Sequence, residues 1–176
     1  MLALAGLSMA TSCSLIHAPA PRPPARTALG PAPLPFKIPR FDWPVAHGTL
    51  SSGFGLRHGA MHEGIDIAAP VGTPVMAAAS GRVIFAGRMR GYGKIVIIQH
   101  ENHYVTVYAH DSTNLVREGQ MVTCGQVIGR VGRTGHTTGP NLHFEVRHNN
   151  IASNPLLYLA PIPATDQTRL AAGSRY

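Results

Sequence analysis

The chain has 176 residues, with fifteen Lys and Arg against eight Asp and Glu, and 13% of positions charged. That length leaves room for one domain of typical size plus extensions. The positive excess suits an anionic partner such as cell-wall polymer or a phospholipid surface, and it equally serves solubility alone. Nucleic acid is disfavoured, because Lys and Arg are spread singly and no nucleic-acid-binding motif is present.

Residues 1–17 read as an export leader. MLALAGLSMATSCSLI is apolar and small, and it is shorter than the roughly 20 residues a spanning helix needs. Ala10-Thr11-Ser12-Cys13 resembles a bacterial lipobox, in which small residues precede a cysteine that becomes lipidated, although Ala10 stands where Leu is usual and no Lys or Arg precedes the run. Lipidation of Cys13 would tie the chain to a membrane and leave Cys124 as the free thiol. The two cysteines sit in such different settings that a disulfide between them is not expected. Cys124, inside a strand-and-turn region, reads by default as a buried small apolar residue.

Residues 18–40 hold eight of the fifteen prolines. Proline lacks an amide donor and fixes φ, so this stretch forms neither a helix nor an inner strand. It predicts a disordered, polyproline-like spacer of about 3 Å per residue between an anchor and a domain.

Over 41–160 the texture changes to short β-rich runs punctuated by Gly, Pro and Asn, the signature of an all-β domain. The alternation predicts strands over 48–52, 64–68, 74–78, 81–88, 94–100, 104–110, 120–123, 127–131 and 142–147. Glu101-Asn102-His103 reads as a hairpin turn, Gly91-Tyr92-Gly93 as a second tight connection, and 111–115 as a short helical turn. The expected architecture is a mostly antiparallel sheet, sandwiched or closed as an open barrel, with a loose tail over 161–176.

Two segments carry candidate chemistry: His62-Glu63-Gly64-Ile65-Asp66 and Asn141-Leu142-His143-Phe144-Glu145. In extended chain, side chains alternate faces, so His62 and Asp66 fall on one side, as do Asn141, His143 and Glu145. Laid side by side, the segments bring His62, Asp66 and His143 together. Two imidazoles and a carboxylate form a recurrent zinc shell that leaves a fourth position for water. Glu63, next to a ligand in a strand, is expected to point the other way. His110 ends the alternating run Tyr104, Thr106, Tyr108, His110, and strand ends are where a side chain meets a substrate without disturbing the core.

Read together, SSGFGLR at 51–57, HEGIDIAAPVGTPVMAAASGRV at 62–83, GYG at 91–93, YAH at 108–110, VREGQMVTCGQVIGRVGRTG at 116–135 and TGPNLHFEVR at 138–147 resemble the LytM/lysostaphin-type zinc metallopeptidases over about 43–159. That family cleaves peptide bonds of bacterial peptidoglycan on a mostly antiparallel β fold. The resemblance implies Zn²⁺ on His62, Asp66 and His143, and His110 beside the metal as the group that handles the attacking water's proton or steadies the oxyanion. The family pattern places a second catalytic histidine at position 141, where this chain has Asn. An amide donates a hydrogen bond but exchanges no proton near pH 7. His136, in the loop just before, is the one other imidazole near that position. RGYGKIVIIQH and HDSTNLVREGQ also resemble the family's non-catalytic branch, lipoproteins that activate cell-division amidases. Two readings follow from the resemblance: an exported endopeptidase of the cell envelope acting on peptidoglycan, or an impaired lipoprotein that binds the wall or activates an amidase.

Overall fold

The computed structural model describes residues 39–57 and 59–161. The leader, most of the proline-rich stretch and the tail lie outside the described residues. Thirteen strands run in chain order: β1 Thr49–Ser52, β2 Gly55–Arg57, β3 Ala60–His62, β4 Ile65–Ala68, β5 Pro74–Met76, β6 Gly81–Met89, β7 Gly93–Gln99, β8 Tyr104–Asp111, β9 Thr113–Asn114, β10 Met121–Val122, β11 Val127–Arg130, β12 Asn141–His148 and β13 Ile151–Ser153. All pairings between these strands are antiparallel, and the helical content among the described residues is two short 3₁₀ turns, Glu101–His103 and Pro155–Leu157.

The main sheet has the order β1-β4-β12-β8-β7-β6-β10, with β13 paired to β12. A second sheet, β5-β11-β9, covers one face of it, and β2-β3 forms a separate hairpin. Alternation decides what each face holds. Ile65 and Ile67 of β4, Tyr108 of β8, and Leu142, Phe144 and Val146 of β12 pack into one core with Val75 and Ile128 of the covering sheet. The opposite face carries a smaller apolar patch, Ile95, Val107 and Ala109, flanked by Phe85, Tyr92 and Ile97. His143 and Glu145 lie opposite Ala109 and Val107 across the β12–β8 pair and therefore share that second face.

The all-β expectation holds, with local corrections. Residues 111–115 form no helical turn; Ser112 hydrogen-bonds Arg130, and Thr113–Asn114 pairs with β11 as a strand. His62 to Asp66 is not one extended run, since β3 ends at His62 and β4 begins at Ile65. Cys124 is exposed rather than buried, and its Sγ lies 3.2 Å from Asp42 Oδ2.

The fully buried Tyr108 ties the layers together. Its hydroxyl accepts from the Ala78 backbone N–H at 2.8 Å and shares a 2.9 Å hydrogen bond with Thr106, whose hydroxyl also meets His100 Nε2 at 2.7 Å. Burial lowers the pKa of His100, so the ring is neutral and its Nδ1–H donates to the Ser80 carbonyl at 2.9 Å. Removing the Tyr108 hydroxyl strands a buried amide, a cost of about 1–3 kcal/mol. Tyr108→Phe should lower unfolding free energy by that amount in urea denaturation, with the denaturant slope unchanged.

Candidate metal centre

His62, Asp66 and His143 meet at one point. His62 Nε2 lies 3.1 Å from Asp66 Oδ1 and 3.1 Å from His143 Nδ1, and His143 Nδ1 lies 2.8 Å from Asp66 Oδ1. A tetrahedral ion with bonds of about 2.0–2.1 Å holds its ligands about 3.3 Å apart. The triangle is close to that size, and it combines two imidazole nitrogens with one carboxylate oxygen. The set fits a borderline-soft divalent ion such as zinc.

Three elements build the triangle. Asp66 and His143 are cross-strand partners of β4 and β12. His62 arrives from the β2–β3 hairpin, and Glu63-Gly64 makes the step between sheets. At Gly64 the backbone lies so close to β12 that a Cβ would sit 2.4 Å from the Phe144 carbonyl oxygen and 2.9 Å from His143 Cε1. Glu63 does not turn away as expected for a continuous strand; it lines the cleft and pairs with Arg147 Nη2 at 2.5 Å.

Hydrogen bonds settle which nitrogen of each ring faces the triangle. His62 Nδ1 lies 2.6 Å from the Gly53 carbonyl oxygen and must donate to it, so the lone pair is on Nε2. His143 Nε2 lies 3.0 Å from Glu145 Oε1, which leaves Nδ1 for the triangle. Burial works to raise the Asp66 pKa, but the hydrogen bond and charge of His143, then the charges of His62 and Arg57, hold it below the ordinary value. Burial works to lower that of His143, yet the hydrogen bonds and charges of Asp66 and Glu145 push it up to about 9. An ion bound at Nδ1 thus takes the place of a proton.

His110 stands beside this group, its ring centroid 5.8 Å from that of His143. Strict alternation would have put it on the core face with Thr106 and Tyr108. Instead it is the extra residue of a bulge, since Lys94 and Ile95 pair with Asp111 and Ala109, and its φ is 66°. That left-handed backbone, unusual for His, turns the side chain to the cleft. Its N–H donates to the Tyr92 carbonyl at 2.9 Å, and its Nδ1–H donates to the Thr134 carbonyl at 2.8 Å. The Thr134–Gly135 segment can lie against the 91–93 turn because Gly135, at φ 78°, has no Cβ to strike the Gly91 carbonyl 2.4 Å away. Nε2 is left as the basic nitrogen. Burial, more than any neighbouring charge, lowers the His110 pKa.

Asn141 also lines the cleft, an opening of about 600 Å³, and so does the exposed His136. Asn141 Nδ2 donates to Thr137 Oγ1 at 2.9 Å, and Oδ1 is buried without a partner. Three residues to which the pattern gives no role complete the surroundings. Glu145, fully buried, accepts from Tyr92 Oη at 2.8 Å and from Arg147 Nε at 2.5 Å as well as from His143. Burial and the Glu145 carboxylate push the Tyr92 phenol up to about 12, which keeps it a donor. The period-two pattern of NLHFEVR puts Glu145 and Arg147 on the His143 face; Tyr92 carries no comparable signal in its turn.

The model of peptidase family M23 matches residues 60–155. The chain belongs to peptidase family M23. It is 45% identical over 135 residues to the DD-carboxypeptidase/endopeptidase Mpg of Neisseria meningitidis, covering 73% of this chain and 31% of that one. It is also 45% identical over 123 residues to the murein hydrolase activator NlpD of Escherichia coli K12, covering 69% of this chain and 32% of that one. The chain thus spans about a third of the length of these curated relatives. A zinc-containing peptidase from Vibrio cholerae superposes with a TM-score of 0.63 at 36% identity, over 70% of this chain and 41% of that one. Sequence identity alone therefore divides evenly between a hydrolase and an activator.

Gly64→Ala tests whether the close approach of the 63–64 step builds the centre. The added methyl should push β12 away, cost about 1–3 kcal/mol or more by overpacking, and reduce any divalent metal bound per chain, as read by elemental analysis and thermal melts.

Proposed function

We propose that this M23 protein is a zinc-dependent endopeptidase of bacterial peptidoglycan peptides. The observation that carries the reading is the triangle of His62 Nε2, Asp66 Oδ1 and His143 Nδ1, with His110 close by. His62, Asp66 and His143 would hold zinc, which would supply Lewis-acid polarisation of the scissile carbonyl and a water acidified toward neutral pH. His110 Nε2 receives that water's proton and returns it to the leaving amine. Burial holds the His110 pKa below the ordinary histidine value, which leaves the ring neutral and able to accept a proton at pH 7. Asn141 faces the same cleft and adds a hydrogen bond to the substrate.

By this reading the leader exports the chain to the cell envelope, and a lipid on Cys13 anchors it to a membrane. The 18–40 spacer then lets the 41–160 domain reach the wall, with 161–176 as a tail.

One observation favours a second reading, a module that holds zinc but binds peptidoglycan or activates a cell-wall amidase without cutting. Asn141 occupies a proton-handling position, and its amide nitrogen is engaged with Thr137. Loss of one general acid–base group typically removes about 10²–10⁴-fold in rate.

Digestion of purified peptidoglycan by the zinc-loaded full chain separates the readings. The endopeptidase releases peptides, and His110→Ala lowers the rate by about 10²–10⁴-fold. Turnover that survives in His62→Ala defeats the metal-hydrolase account. A wild type that releases nothing, beside an Asn141→His variant that cuts, establishes the second reading.

The pH profile gives a further test. His110 works as a base only when unprotonated, so activity is full above its pKa and falls as pH drops through it. That acid limb should lie below the ordinary histidine value of about 6.5 and should vanish from the residual activity of His110→Ala.

A further inference from the structure

The two histidines of the triangle are held by unlike partners. His62 Nδ1 donates to a neutral backbone carbonyl, that of Gly53. His143 Nε2 donates to a fully buried carboxylate, Glu145 Oε1, at 3.0 Å. That carboxylate is itself held from two more sides, by the Tyr92 hydroxyl at 2.8 Å on Oε1 and by Arg147 Nε at 2.5 Å on Oε2. Arg147 continues outward to Glu63 at the cleft rim. The result is a connected line from the solvent edge, through Glu63, Arg147 and Glu145, to the imidazole that faces the metal.

We propose that Glu145, oriented by Tyr92 and Arg147, is the positioning residue that sets the tautomer and the ligand strength of His143. A carboxylate oxygen only accepts, so Nε2 opposite Glu145 carries a hydrogen, and Nδ1, opposite Asp66, is the nitrogen whose proton an ion displaces. A negative partner behind an imidazole also makes the ring a better donor to a metal. The Glu145→Gln side chain presents one oxygen and one NH2 group to three donors. With its oxygen toward His143, its amide faces the Arg147 N–H; turned over, it asks Nε2 to accept and moves the ring hydrogen to Nδ1, where the ion binds. Neither arrangement meets the needs of both neighbours. Tyr92→Phe leaves the carboxylate in place and removes one of its three holds.

This inference rests on the metal reading above, and the test separates the two. Zinc affinity of the full-length chain is measured by competition with a chromophoric chelator for wild type, Glu145→Gln and Tyr92→Phe, with thermal melts of each metal-free protein. Cobalt(II) substitution gives a visible spectrum that reports on the ligand field. Wild type should take up one zinc. Glu145→Gln should bind it about 10–100-fold more weakly, the range for loss of a partner behind a metal-bound histidine. Tyr92→Phe should show a smaller loss in the same direction, and both should shift the cobalt bands. Wild-type affinity and an unshifted cobalt spectrum in folded Glu145→Gln overturn the proposal. Should that variant not fold, Tyr92→Phe decides on the same two readouts. A wild type that takes up no zinc defeats the metal reading, and this proposal with it.

Discussion

The register of β12 is the constraint on which the rest depends. The strand is central, paired with β4 through His143 and Asp66 and with β8 through His143 and Ala109. Its side chains alternate, so the fully buried Leu142, Phe144 and Val146 fill the core while His143, Glu145 and Arg147 take the other face. A slip of one residue would exchange the two sets. Burying a large aliphatic or aromatic side chain contributes about 1.5–3 kcal/mol, so exposing all three would consume much of the roughly 5–15 kcal/mol that holds a domain folded. The polar centre is aimed by the apolar packing behind it.

The pairing of β12 with β4 places two of the three members of the triangle, and the remaining pieces need departures from regular strand. His62 comes from a hairpin outside the main sheet, and the step at Glu63-Gly64 brings it in. His110 comes from the strand on the other side of β12 and would face the core but for its bulge and left-handed backbone. Such conformations cost on the order of 1–3 kcal/mol and persist where surrounding bonds over-determine them. Here the over-determination is visible: the Tyr92 carbonyl holds the His110 backbone, and the Thr134 carbonyl holds its ring.

The same distinction explains how much can be read from the sequence. Period-two alternation finds the strands of the main sheet, and it puts His143 on a face with Glu145. It brings His62 and Asp66 together as well, though by a wrong route, since it treats a broken segment as continuous and so turns Glu63 away from the cleft. It groups His110 with Tyr108, because a bulge inserts one residue without any local mark that periodicity can register. The covering strand at Thr113–Asn114 is too short to carry a pattern. Cys124 escapes a local reading because its exposure depends on neighbours distant in sequence. The line to Glu145 has the same character. Glu63 meets Arg147 across 84 positions and Tyr92 meets Glu145 across 53, and only the folded sheet brings them within hydrogen-bonding reach.

Holding a metal and handling a proton are separable tasks, and the residues suited to each differ in this chain. The ligand triangle and its support behind His143 are built in full. At position 141, by contrast, the side chain cannot titrate, and its orientation is fixed by proton accounting. The Thr137 hydroxyl donates its one hydrogen to the Gly139 carbonyl, so it can only accept from Asn141, and the amide must turn its nitrogen that way. What remains is the second hydrogen on Nδ2, a donor, and Oδ1, an acceptor that is buried. Asn141 is therefore poorly disposed to replace an imidazole as a base. Under the proposed endopeptidase reading, proton transfer falls to His110, whose buried ring and single free nitrogen suit that work. Under that reading the centre would keep its means of polarising a carbonyl and lose part of its means of moving protons. The same reading requires one imidazole to serve both attack and departure.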